Sequence, residues 1–283
     1  MADIITSKAE IAAFIDPSLV LELANRELAA NAILANYVTN MDTFTVGQTA
    51  EILKVKKFGV AQVTTRACGT KGEANTIAVG TDDLVKKNAY GSFMLDDCCD
   101  TVISKVAATF FQRYASAMGR SIDTEIINIL DAASPAPTIT GGLTAANIAK
   151  AKTKLNCCFA DPSKLILLVG CDQEEALLNL ADINSSSMFS NLVMQTGSVK
   201  SLLGFQVVVS QNPLLEGKAF AYSTEAIGLG YVQQLNYRQL PEAGLGTRGY
   251  RTEMDLCYYI GALQTGECGV GPTESPWIVE IGM

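Results

Sequence analysis

The chain has 283 residues, of which 48% are hydrophobic and 18% are charged, with a formal net charge of −8 and no histidine. This composition is typical of a well-packed globular protein, and its acidity argues against a dedicated nucleic-acid binder, which needs a basic surface to neutralise phosphates. The absence of histidine excludes Ser-His-Asp and Cys-His catalysis and the HExxH type of zinc site.

The N-terminal segment predicts helices and no targeting signal. The first residues, MADIITSKAEIAAF, lack a basic region followed by an apolar stretch, and no apolar run approaches the roughly 18 residues of a membrane span, so we expect a protein made and folded in a cytoplasm. Ser7 and Glu10 fit a capping box for a short helix. Asp16 and Pro17 fit the start of a second helix. Its apolar residues form one helical stripe: Leu21, Ala24, Leu28, Ala32 and Ala35.

A two-stranded β arm is predicted next. The segment 49–64, TAEILKVKKFGVAQVT, is rich in β-branched residues, and the chain returns through TIAVG at 76–80 after a tip rich in Gly, Lys and Thr. An isolated two-stranded arm is marginally stable in water. We therefore expect the arm to pack outside its own fold, most simply on a neighbouring copy of the same chain.

The longest helical pattern follows the arm, from about Asp100 to Leu130. Its apolar residues recur at spacings of three and four, and some thirty residues of helix would span about 45 Å. Gly119 is expected to kink this helix or divide it in two, and Pro135 and Pro137 mark the next break. The apolar positions are Ile103, Val106, Ala107, Phe110, Tyr114, Met118, Ile122, Ile126 and Leu130.

The second half of the sequence alternates helices with apolar strands, which favours an α/β or α+β unit with a covered sheet. Thr144 is the expected N-cap of a helix over 145–156, and Asp172 with Glu175 is expected to start another. The predicted strands are 164–170, 204–210, 218–223, a long strand within 248–266 and a closing strand at 276–283, with a turn at 224–230.

Several local patterns suggest chemistry but fit a structural role better. Asp96, Asp97 and Asp100 could hold a divalent cation, yet they lie at a predicted helix start, where carboxylates stabilise the helix. Gly217-Lys218 lacks the other positions of a phosphate-binding loop. Two Gly-Leu-Gly triplets, 228–230 and 244–246, lack the third glycine of a dinucleotide site and are interpreted as turns. We therefore expect no catalytic residue, no metal and no cofactor.

The eight cysteines show no CxxC spacing, and two pairs are adjacent in sequence. Adjacent cysteines point in different directions, so they do not form half of a zinc site together. We interpret them as small, buried, reduced side chains, while disulfides formed after release into an oxidising medium stay open.

The order of these elements resembles the major capsid protein of tailed bacteriophages, which has the Hong Kong 97-like fold. The resemblance covers nearly the whole chain and rests on the order of degenerate packing patterns. Segments 14–38 and 46–55 resemble the N-terminal arm and the start of the extended loop, and 110–130 resembles the spine helix. Segments 143–156, 164–178, 197–212 and 221–231 resemble the central sheet domain in its usual order.

The resemblance implies an α+β fold with an N-terminal arm, an extended β-hairpin loop, a long spine helix with a peripheral domain, and an axial domain with a central mixed sheet. The implied domains are 1–45 (N-terminal arm), 46–92 (extended loop), 93–138 with 241–262 (peripheral domain) and 139–240 with 263–283 (axial domain). The tip of the extended loop, including Cys68, Gly69, Lys71 and Gly72, would contact a neighbouring subunit.

The implied function is structural rather than enzymatic. Copies would assemble as pentamers and hexamers into an icosahedral shell around double-stranded DNA, in the host bacterial cytoplasm, with scaffolding and portal proteins as partners and no membrane. Two alternatives stay open: an encapsulin-like compartment of the same fold that encloses an enzyme cargo, and a soluble α/β enzyme with an unrecognised Cys or Asp site.

Overall fold

The structure is a computed structural model of the single chain. It describes residues 17–41, 49–55, 79–96, 100–133, 139–158, 160–179, 199–241, 249–263, 266–267, 274–275 and 277–282. No helix within these ranges is long and apolar enough to cross a membrane.

Four α-helices are numbered here in chain order. They are α1 (Pro17–Asn31), α2 (Asp100–Ala133), α3 (Ala145–Cys157) and α4 (Cys171–Leu178). Short 3-10 turns cover Leu34–Tyr37, Pro162–Lys164, Pro213–Leu215 and Thr224–Ala226. The 34-residue α2 is the longest element, and its buried residues belong to the main core.

A first five-stranded sheet, called the arm sheet below, contains the two strands of the predicted arm. Its order is β1-β8-β9-β3-β2, with β1 parallel to β8 and the other pairs antiparallel. The strands are β1 (Thr39–Asn40), β2 (Thr49–Val55), β3 (Val79–Asp96), β8 (Ile227–Pro241) and β9 (Gly249–Ala262).

A second five-stranded sheet, called the central sheet, has the order β12-β7-β4-β6-β5 and is mixed, because β4 and β6 are parallel and the other pairs antiparallel. The strands are β4 (Leu165–Gly170), β5 (Ser201–Leu202), β6 (Phe205–Ser210), β7 (Lys218–Ser223) and β12 (Ile278–Gly282). All six residues of β4 are buried, as expected for a central strand covered on both faces. Strands β10 (Gly266–Glu267) and β11 (Glu274–Ser275) pair separately.

One continuous apolar core joins both sheets with α1, α2 and α3. The predicted stripe of α1 is confirmed, since Ala24, Leu28 and Ala32 are buried. The second half of the α2 stripe is confirmed in the same way, through the buried residues Met118, Ile122, Ile126 and Leu130. The helical periodicity of the sequence therefore identified the buried faces correctly.

The expected division of the helix at Gly119 is wrong, because α2 is one uninterrupted helix. A Cβ atom at Gly119 would lie 2.8 Å from the carbonyl oxygen of Leu28 and 2.9 Å from the backbone nitrogen of Ala32. The glycine therefore serves the packing of α1 against α2, whose backbones approach too closely for a side chain at this position.

Two local predictions in the second half are also wrong. The segment around Gly228 and Gly230, predicted as a turn, forms the start of β8, because its backbone pairs with β9 on one side and β1 on the other. The second triplet, 244–246, lies outside the described residues. The N-cap of α4 is Gly170 rather than Asp172, and no side chain caps the helix. The Asp172 carboxylate instead accepts a hydrogen bond from the backbone nitrogen of Gly217 at 3.1 Å. In contrast, Thr144 caps α3 as predicted.

Candidate assembly interface

The strand β3 belongs both to the arm and to the body of the protein. Over residues 85–96 it pairs with β9, in twelve registered pairs that run from Val85–Ile260 to Asp96–Gly249. Over residues 79–85 it pairs with β2. Before Val85, β3 pairs with β2 alone among the described strands. Residues 79–85 of β3 and the strand β2 therefore form a two-stranded ribbon that projects beyond the other strands of the arm sheet.

A small apolar cluster lies where this ribbon leaves the sheet. Leu84 and Tyr259 are completely buried there, Leu263 is nearly so, and Met41 packs against them. The cluster is separate from the main core. The base of the ribbon is therefore anchored by apolar contacts contributed by β3, β9 and the segments just after β1 and β9.

A polar network joins the three central strands of the arm sheet. The Tyr90 hydroxyl donates to Glu253 Oε1 at 2.7 Å, and Arg238 Nε donates to Glu253 Oε2 at 2.8 Å. Glu253 is only 6% exposed, so its carboxylate depends on these partners instead of water. Because the three side chains come from β3, β9 and β8, the network opposes any slip in the register of these strands.

The other face of β3 is held against α2. Lys87 Nζ lies 3.4 Å from Glu125 Oε2 of the helix. A Cβ atom at Gly91 would coincide with the hydroxyl of Tyr114, which occupies the space above the glycine. Burial is the larger of two causes that raise the pKa of Tyr114, ahead of the proximity of Tyr90. The ion pair and the contact between Gly91 and Tyr114 therefore hold this part of β3 against α2.

The turn after α1 is fixed by a buried carboxylate of α2. Asp123 accepts hydrogen bonds from the backbone nitrogens of Ile33, at 3.1 Å, and Leu34, at 3.0 Å. Burial raises the pKa of Asp123 to about 6, and the two backbone hydrogen bonds oppose that rise. Tyr222 lies near this carboxylate, and burial followed by proximity to Asp123 raises the pKa of Tyr222. The first helix is thus attached to the long helix by close backbone packing at Gly119 and, one turn later, by Asp123.

Several large apolar side chains are exposed on the single chain. They are Ile33, Val85, Tyr90, Leu203, Leu214, Tyr231 and Val232, each between 38% and 49% exposed. Val85 lies where the two-stranded ribbon begins. Leu203 has a left-handed backbone conformation with φ of 51°. That conformation costs a non-glycine residue roughly 1 kcal/mol.

The comparisons with known proteins agree with this architecture. A profile of the phage capsid protein family matches residues 29–239, which is most of the chain. The chain belongs to the phage capsid protein family. No curated protein sequence matches it closely enough to count as a relative.

Solved structures show the same fold at low sequence identity. A structure from Mycobacterium phage Che8 superposes with a TM-score of 0.65 at 17% identity, covering 88% of this chain and 90% of that one. The capsid structure of the cyanophage P-SCSP1u gives a TM-score of 0.65 at 12% identity, over 87% and 86% of the two chains. The mature capsid of bacteriophage PhiM1 gives 0.59 at 14% identity, over 87% and 85%. The capsid protein therefore has the Hong Kong 97-like α+β fold, as predicted.

The predicted contact residues of the capsid protein, Cys68, Gly69, Lys71 and Gly72, lie outside the described residues, so their role stays a prediction. Strands β2 and β3, on either side of that tip, pair antiparallel as the predicted hairpin requires, but β3 continues to Asp96, far beyond the predicted return segment 76–80. The anchoring network of Tyr90, Glu253 and Arg238 was not predicted, because nothing in a sequence shows which strands are neighbours when they lie far apart in the chain.

The alternative chemical sites of the capsid protein gain no support. Asp100 begins α2, as expected for a helix-start carboxylate. Asp96 instead ends strand β3, and Asp97 lies outside the described residues. No group of three or more potential metal ligands occurs in the part of the chain that the structure describes. Gly217 is a turn residue with φ of 71°, and Lys218 forms an ion pair with Asp131 of α2.

The interpretation of the cysteines is wrong in part. Cys158 is disulfide-bonded. Cys157 and Cys171 are free thiols, but they are exposed rather than buried. Burial of a cysteine depends on its place in the fold: Cys157 is the last residue of α3 and Cys171 is the first residue of α4, where its thiol donates a weak hydrogen bond to the Ser210 carbonyl oxygen at 3.7 Å.

Proposed function

We propose that this protein is the major capsid protein of a tailed bacteriophage, which assembles as pentamers and hexamers into an icosahedral shell enclosing the double-stranded DNA genome. The observation that carries the proposal is the ribbon of β2 and β3, which projects beyond β9 and has a rigid base. A two-stranded ribbon gains little stability by itself. Packing on neighbouring copies would stabilise it, and would cover Val85, which is 49% exposed on the single chain.

The proposed domains are 1–45 (N-terminal arm), 46–92 (extended loop), 93–138 with 241–262 (peripheral domain) and 139–240 with 263–283 (axial domain). The central sheet, built from residues 165–223 and 278–282, falls within the axial domain. Strand β8 reaches across the proposed boundary at 240, since it pairs with β9 of the arm sheet from Ile227 onward. We propose that β8 is the connection through which the two domains move as one body.

The proposed partners are further copies of the chain, a scaffolding protein and a portal protein. Assembly would take place in the cytoplasm of the host bacterium, and the finished subunit would reside in the virion. The net charge of −8 supports a wall that does not hold DNA tightly, because the genome has to move in and out.

The test removes the loop tip and leaves the rest of the subunit unchanged. Deleting residues 68–75 should give a subunit with wild-type secondary structure, measured by circular dichroism, that forms few particles in electron micrographs. A second variant replaces the same eight residues with Gly and Ser, which keeps the length of the loop while removing its side chains. Particles of wild-type yield from both variants would contradict the role of the tip.

A second measurement tests the contents of the shell. Particles isolated from infected cells should protect DNA from added nuclease, and the protected DNA should be released when the shell is opened. Particles that hold a protein cargo and no DNA would instead favour an encapsulin-like compartment. A wild-type protein that stays monomeric under all assembly conditions would refute the shell itself.

A further inference from the structure

The hairpin between β5 and β6 contains a residue in an unfavourable conformation. Leu202 pairs with Phe205, so Leu203 and Gly204 are the two central residues of the turn. Their φ angles are 51° and 86°. Two-residue hairpin turns with two positive φ angles strongly favour Asn, Asp and Gly. Leu203 is the only non-glycine residue with a positive φ among the residues described.

The fold of the single chain does not explain a leucine here. Its neighbours Leu202 and Phe205 are buried in the core, whereas the Leu203 side chain is 44% exposed. Lys152 Nζ of α3 donates a hydrogen bond to the Leu203 carbonyl oxygen at 2.6 Å. That bond uses a backbone atom, so any residue at position 203 would supply it. The leucine side chain therefore adds backbone strain without a matching gain in local burial.

The hairpin is nevertheless held by α3 at the edge of the central sheet. A Cβ atom at Gly204 would lie 2.7 Å from Lys152 Nζ, so the glycine makes room for the lysine that holds the turn. Strand β5 ends the sheet order, and it pairs only with β6 among the described strands. An exposed leucine on a turn at a free sheet edge is placed to contact a partner surface.

We propose that Leu203 is an apolar contact between copies of this chain, buried when the axial domains assemble. The inference rests on the proposed shell, in which further copies of this chain are the partners. Charge supports the same partner: Lys152 lies beneath the turn and the exposed Lys200 immediately precedes β5, while the whole chain carries a net charge of −8. A basic rim around the leucine is complementary to an acidic second copy.

The test uses substitutions whose effects on folding and on assembly have opposite signs. Leu203→Asn and Leu203→Gly suit the turn better than leucine, so the unfolding midpoint of the unassembled subunit should stay the same or rise. Both remove the apolar contact, so the subunit concentration at which shells form should rise roughly tenfold or more. Leu203→Met keeps a long apolar side chain and should assemble within about threefold of wild type.

The measurements are thermal unfolding of the unassembled subunit and light scattering of purified protein assembled without other phage proteins. Assembly of Leu203→Asn and Leu203→Gly at the wild-type concentration would overturn the inference and leave the shell proposal intact. A clear fall in their unfolding midpoints would also overturn it, because the leucine would then serve the fold of the subunit. Failure of the wild-type protein to assemble would instead refute the proposed function.

Discussion

Replacing Gly119 with alanine should destabilise the subunit, although helix propensity alone predicts the opposite. Alanine in place of glycine in the middle of a helix is normally stabilising by about 1 kcal/mol. At position 119 the added methyl group would lie 2.8 Å from the Leu28 oxygen, 2.9 Å from the Ala32 nitrogen and 3.1 Å from the Asn31 carbonyl carbon. All three are backbone atoms, so no flexible side chain can move aside.

The change in the free energy of unfolding follows from two opposing effects of the added methyl group, its steric cost and its gain in helix propensity. Inserting a methyl group into a well-packed contact costs roughly 1–3 kcal/mol, and the gain in propensity offsets part of it. Separation of the helices would also lengthen the bonds from Ile33 and Leu34 to Asp123, one turn further along α2. Because the methyl group meets three backbone atoms, its cost lies in the upper part of that range. After subtraction of about 1 kcal/mol for propensity, we expect a net loss of about 1–2 kcal/mol, or roughly 2–8 °C in the unfolding midpoint of a chain of this size.

Thermal unfolding of the unassembled subunit, followed by circular dichroism, measures the effect. Ala117→Gly is the matched control, because Ala117 is an exposed residue of the same helix and should lose about 1 kcal/mol through propensity alone. The structure thus predicts that both changes destabilise, whereas propensity predicts opposite signs. An unfolding midpoint of Gly119→Ala at or above wild type would refute the close approach of α1 and α2.

Two further predictions concern buried polar groups. The pKa of Asp123 is raised to about 6 in the folded state, so the folded protein binds this proton more tightly than the unfolded chain, and lowering the pH from 7 to 5 should stabilise the subunit by roughly 1 kcal/mol. Asp123→Asn should abolish that gain in unfolding experiments at both pH values, and an unchanged pH dependence would show that another group is responsible. The hydroxyl of the completely buried Tyr222 has no hydrogen-bond partner among the described residues, so Tyr222→Phe should leave stability unchanged or raise it by up to about 1 kcal/mol. Tyr90→Phe is its control: it removes the bond to Glu253 and should cost about 1 kcal/mol, and a comparable loss for Tyr222→Phe would contradict the unpaired hydroxyl.

Local periodicity in the sequence was enough to predict the buried faces of two helices and one buried strand. The stripe from Leu21 to Ala35 and the one ending at Leu130 each follow the helical repeat, and the apolar run 164–170 matches the buried strand β4. Such patterns report which side of an element is buried, because burial is decided by the same side chains that create the pattern.

The errors occur where a residue's role is set by a distant part of the chain. Gly119 looks like a helix breaker until α1 is placed against it, and Gly228 looks like a turn residue until β1 and β9 are placed on either side. The same limit explains why the anchors of the arm went unpredicted. Glu253 accepts a hydrogen bond from Tyr90, which lies 163 positions away in the sequence, and no local sequence pattern predicts such a pair.

The continuity of β3 from the projecting ribbon into the body has a mechanical consequence. A neighbour that pulls the ribbon along its length would load all twelve β3–β9 pairs at once, in shear, instead of opening them one after another as in a zipper. Tension in the shell wall would thus reach the body of the subunit through one continuous β-strand.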